Sequence, residues 1–126
     1  MRKIHAYFEG EFVKVNLARL AVAAQVGPYQ PCNCAIEERT RTLLLESLSQ
    51  VVPLYALEKE GGFKKGDPRG VAFATSRLAA GAAVVRDMIV EAWIDSANTA
   101  VGYPMVNVRD IESGEVRVTR ELFGAD

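Results

Sequence analysis

The chain has 126 residues, 49% of them hydrophobic and 25% charged, a mix that suits one folded domain with a single core. Fifteen basic residues against sixteen acidic ones leave a formal charge of −1. Nucleic acid and anionic membrane are held by a basic excess, so this balance argues against both as partners.

Met1–His5 leads into alternating residues rather than an apolar run, so no signal peptide is expected. No stretch reaches the roughly 18 apolar residues of a membrane span. Residues 3–9 and 11–16 carry aromatic and β-branched side chains around Glu9-Gly10 and predict a β-hairpin. Residues 17–26 have two readings. Asn16 can cap a short helix that Gly27 ends, or the alternation of Val13, Val15 and Leu17 can continue the second strand. The favoured reading is a long strand, or a strand followed by a helical turn. Pro28 and Pro31 then stiffen a loop. Cys32 and Cys34 are one residue apart, which strains an intrachain disulfide and falls short of the usual zinc-ligand spacing. They read as reduced cysteines in a cytoplasmic protein.

Asn33 is the expected cap of a first helix, with Glu37 and Glu38 near its positive end. Ile36, Leu44, Leu48, Val51 and Tyr55 recur at helical spacing, widened by Leu43 and Leu45, and predict the buried side. Pro53 must kink or end this helix, and Gly61-Gly62 closes the segment. A second helix starts at Asp67 as cap and Pro68 in the first position. Its residues 78–85 contain no polar side chain, so the helix is expected to be surrounded, in a core or an interface. Trp93 and Met88 read as core. Past Asn98 the period becomes two, and 105–111 with 116–120 predict a second hairpin around Glu112-Ser113-Gly114-Glu115. The expected fold is a single α+β domain over 1–126. In it an antiparallel sheet from N- and C-terminal β-hairpins carries two central helices on one face.

The best candidate ligand site is the loop before the second helix, with Gly62, Lys64, Lys65, Gly66 and Arg69. Glycines let backbone NH groups approach a ligand, the cations supply charge, and a helix start attracts anions. The loop matches neither the Walker pattern nor the dinucleotide fingerprint. Arg109, with Arg117 and Arg120, is expected on the second hairpin, where Arg109 can complete the grip on an anion. His5 has no neighbouring ligand or nucleophile, and the row Asp87, Glu91, Asp95 reads as a solvated helix face. No catalytic set, metal or cofactor is indicated. The expected function is therefore a small, non-enzymatic oligomer that captures an anionic small molecule such as a nucleotide or phosphorylated signal. It would self-associate through the helix around Leu78–Val85. The alternative is a structural or interaction protein with no small-molecule ligand.

Overall fold

Ile4, Tyr7, Phe8 and Phe12 all reach one cluster, and their spacing is that of a helix rather than a strand. A computed structural model describes residues 4–124, so Lys3, the expected start of the first strand, lies outside the described residues. In place of the N-terminal hairpin, α1 (Ile4–Tyr7), a π-helical turn (Phe8–Phe12) and α2 (Val13–Asn16) follow one another without a break. Aromatic residues suit a pleated strand, but here their burial needs the helical period, and burial wins over propensity. The extra residue of the π-turn keeps Phe8 and Phe12 on the cluster, with ring centroids 6.1 Å apart.

The following segment is also helical: α3 runs Arg19–Gln25, and Gly27 follows with φ +69°. Its cap position is Ala18, because the side chain of Asn16 is engaged elsewhere. Asn33 is not a cap either. It takes φ +50°, and Ala35 precedes the first turn of α4 (Ile36–Ser49). Cys32 and Cys34 are joined in a disulfide, with Cα atoms 5.0 Å apart, so the reduced-thiol expectation is corrected. The helix yields at Gln50, and α5 (Val51–Lys59) carries Pro53 in its first turn, where a missing NH costs little. α6 spans Pro68–Ser96 and starts as its sequence indicates: Asp67 Oδ1 accepts the Arg69 NH at 2.9 Å.

The C-terminal hairpin is likewise overturned. β1 (Ala100–Val101) pairs antiparallel with β2 (Val106–Asn107), in the register Ala100 to Asn107 and Val101 to Val106. Asn107 then caps α7 (Val108–Glu112) by accepting the Arg109 NH at 2.9 Å, which turns the chain out of the strand. A 3-10 turn follows at Arg120–Phe123. The protein is 67% helical, and among the described residues one two-stranded ladder is the only sheet, too small for two helices to cover. Among the described residues, no helix is long and apolar enough to cross a membrane.

The chain divides into two units, Met1–Asp87 and Met88–Asp126, and α6 passes from one into the other. In the first, Phe12 (1% exposed), Phe63 and Ala74 form the buried core, with Ile4, Tyr7, Phe8, Leu54, Leu57 and Phe73 packed around them. Phe63 meets Phe8, Phe12 and Phe73 edge to face, Phe12 at 5.2 Å between centroids, while Phe8 and Phe12 stack. In the second, Leu122 is buried, its carbonyl accepts the Tyr103 NH at 2.8 Å, and its side chain lies against Gly102.

Candidate functional site

The glycine-lysine loop is built as a helix stop and a core plug. At the end of α5, Gly61 takes φ +79° while its NH reaches the Glu58 carbonyl and the Gly62 NH reaches that of Leu57, both at 2.8 Å. This pair of bonds is the Schellman arrangement, which satisfies the last carbonyls of the helix. Gly62 and Gly70 are packing positions. A Cβ on Gly62 would run into the Leu57 side chain, and one on Gly70 into the Gly62 carbonyl, Phe12 and Phe63. Phe63 is buried beneath the loop, and its carbonyl accepts the Tyr7 hydroxyl at 2.8 Å.

The donors expected to meet an anion are largely engaged within the chain. Gly66 NH donates to Asn16 Oδ1 at 2.9 Å, Lys64 NH to the Gly61 carbonyl and Asp67 NH to that of Lys64. The Arg69 guanidinium is held by Asp67 and Glu60, at 3.0 and 3.1 Å. The hydrogen bond from Arg69 keeps the Asp67 carboxyl below its ordinary range, and Asp67 in turn raises Arg69. Lys64 and Lys65 are exposed and, among the described residues, form no ion pair. Arg109 belongs to the second unit, where it is exposed in the first turn of α7 rather than on a hairpin face. Arg117 lies in irregular chain and Arg120 opens the 3-10 turn. His5 is exposed and sits 3.4 Å from Glu9.

The stripe read from periodicity on α4 and α5 lies mostly toward water, with Leu43 half-buried on the other side. Ile36, Leu44, Leu48, Val51 and Tyr55, expected in the core, are exposed, and Leu48 is 66% open to water. The opposite side faces inward. There Arg39 Nη1 lies 3.4 Å from Asp87 Oδ2, and Arg77 of α6 reaches Glu46 at 3.1 Å. Arg86 closes on Asp87 at 2.6 Å and on the carbonyls of Gly27 and Pro28. Asp87, read from sequence as part of a solvated row, is thus a buried carboxylate between two guanidiniums. Further along, Leu54 and Leu57 of α5 pack on the aromatic cluster. α4 and α5 therefore turn charge and two leucines inward and a row of aliphatic side chains outward.

Within one copy of the chain α6 is only partly surrounded. Ala74, Thr75 and Ala79 are buried, whereas Leu78 and Val85 are exposed, and a Cβ on Gly81 would meet nothing within 4 Å. Leu78 and Ala82 instead help line an open apolar groove of about 500 Å³ with Val13, Leu17, Val22 and Val26. In the second unit Trp93, expected in the core, is exposed with Ile89 and Ile94. Among the described residues no group of three or more His, Cys, Asp or Glu is placed to hold a metal ion. No protein-family model matches the chain, and neither a curated protein nor a solved structure does.

Proposed function

We propose that this protein is a non-catalytic interaction module that presents the outer side of α4 and α5 to another polypeptide. One observation carries the reading: the aliphatic row of these helices faces water while Arg39 and Glu46 pair with Asp87 and Arg77 on the other side. A single exposed leucine is ordinary, but a contiguous apolar side of this length is characteristic of protein contact surfaces. Anion capture at the glycine-lysine loop has weaker support, because the loop's backbone donors are mostly satisfied internally and Arg69 is neutralised by two carboxylates.

The test replaces Leu44 and Leu48 together by Glu. Both are exposed, so far-UV circular dichroism should be unchanged. Sedimentation and the binding of an apolar fluorescent dye should both fall away from wild type. A variant indistinguishable from wild type in both measurements would remove the surface from consideration.

A further inference from the structure

We infer that the occupant of the α4–α5 surface is a second copy of this chain, laid antiparallel across a two-fold axis at Leu48. This rests on the interaction reading above and adds the partner and its register. Successive residues of a helix turn by about 100°. On that wheel Leu44, Leu45, Leu48, Val51, Val52 and Tyr55 form one side centred on Leu48, with Glu37 and Arg41 on the same line before it and Lys59 after it. The phase survives the break at Gln50, since Leu54 and Leu57 still point to the core while Val52 and Tyr55 stay exposed.

The charges choose the occupant. Glu37 stands eleven residues before Leu48 and Lys59 eleven after it, while Arg41 and Tyr55 stand seven before and seven after. In an antiparallel pair centred on Leu48, each Glu37 meets the other copy's Lys59, and each Arg41 lies on the other's Tyr55 ring. A two-fold contact is self-complementary in this way, so both pairings occur twice. A parallel pair would set Glu37 against Glu37 and Lys59 against Lys59. Glu37, Arg41 and Lys59 are exposed and, among the described residues, have no ion-pair partner of their own, so these charges are available. The six apolar side chains leave on the order of 600 Å² in water, and the three charged ones bring the patch towards the roughly 800 Å² that each partner gives to a stable interface.

Analytical ultracentrifugation of the whole protein tests this. Wild type should be a dimer at micromolar concentration. Leu48→Glu sets two carboxylates against each other on the axis and should weaken the dimer by about 100-fold or more. Leu48→Lys should do the same, with circular dichroism of both variants unchanged. Glu37→Lys and Lys59→Glu should each weaken it by about fivefold, and the double variant should return to near wild type. A dimer indifferent to Leu48→Glu, or single reversals that the double variant does not rescue, would overturn the proposal. A wild-type monomer at high micromolar concentration would also overturn it. If that monomer still bound dye at this surface and lost it on Leu44→Glu/Leu48→Glu, the interaction reading would stand with a different polypeptide as partner.

Discussion

The aromatic cluster under the 61–66 loop and the charged seam between α4 and α6 hold the same unit together by opposite means. The cluster joins Phe8, Phe12, Phe63 and Phe73 through apolar area and ring-edge contacts, which depend on fit but hardly on direction. The seam joins Arg39 and Arg86 to Asp87, and Arg77 to Glu46, through charge, and the buried Asp87 depends on its two partners. A cluster of rings can lose a methylene and relax. A buried carboxylate between two guanidiniums depends on charge and direction, and an apolar replacement supplies neither. Because α4 gives most of its inward side to this seam, with Leu43 half-buried beside it, its other aliphatic residues lie exposed.

The largest effects should come from the centre of each region, and they should differ in how they are rescued. Phe12→Ala should cost about 3–5 kcal/mol, and Phe12→Leu much less, because most of the buried area survives. Asp87→Ala should cost about 1–3 kcal/mol, since the half-buried Arg39 and Arg86 lose a charge-assisted bond but keep the carbonyls of Gln30, Gly27 and Pro28. Here an apolar residue of better fit does not help: Asp87→Leu should remain destabilised until Arg39→Met is added. Urea unfolding monitored by circular dichroism measures all five variants. A full rescue by Asp87→Leu alone would show that the seam is held by packing, as the cluster is.

Gly70→Ala comes next. Its Cβ would meet the Gly62 carbonyl, a backbone atom with little room to give, so about 1–3 kcal/mol of overpacking is expected in the same unfolding assay. At the rim of the seam, Glu46→Ala should cost at most about 1 kcal/mol, since that carboxylate is half exposed and screened. The loss should shrink further in high salt, whereas that of Asp87→Ala should not.

The smallest effects belong to the glycine-lysine loop. Lys64→Ala and Lys65→Ala should leave stability unchanged, and titration with inorganic phosphate reads out whether either lysine holds an anion. Asp67 supplies a pH signature. Its carboxyl is held below the ordinary value of 3.8, first by the hydrogen bond from the Arg69 side chain. The folded state therefore binds that proton less readily than the unfolded chain. The contribution is present above pH about 4 and is lost as pH falls through the lowered value. Asp67→Asn should flatten the acid limb of the unfolding midpoint against pH and leave its shape near neutrality alone.

Local chemistry in this chain was readable where it is complete within a few residues. Asp67-Pro68 announces the start of α6 because a cap and its first NH groups lie within one turn. Pro53 marks the division between α4 and α5 because its missing NH acts on the preceding turn. The terminal hairpins were misread for the same reason in reverse. Alternating valines and aromatics state a preference, and a nearby Asn107 cap or a distant Phe63 ring overrides it.

By itself, the sequence determined where the long helices lie and that Leu44, Leu48, Val51 and Tyr55 share a side, since both follow from the backbone repeat and from caps. The tertiary structure alone decided which side is inside. Periodicity gives the angle between residues but not the direction of the core, and that direction depends on which partner surface offers the better match. For α4 the match was Arg77 and Asp87 on α6, more than thirty positions away from Glu46 and Arg39, and no local pattern connects them. The glycines of the loop were ambiguous in the same way. Gly62 looks identical in sequence whether it makes room for a ligand or for the side chain of Leu57, and only packing against Leu57 and Gly70 tells them apart.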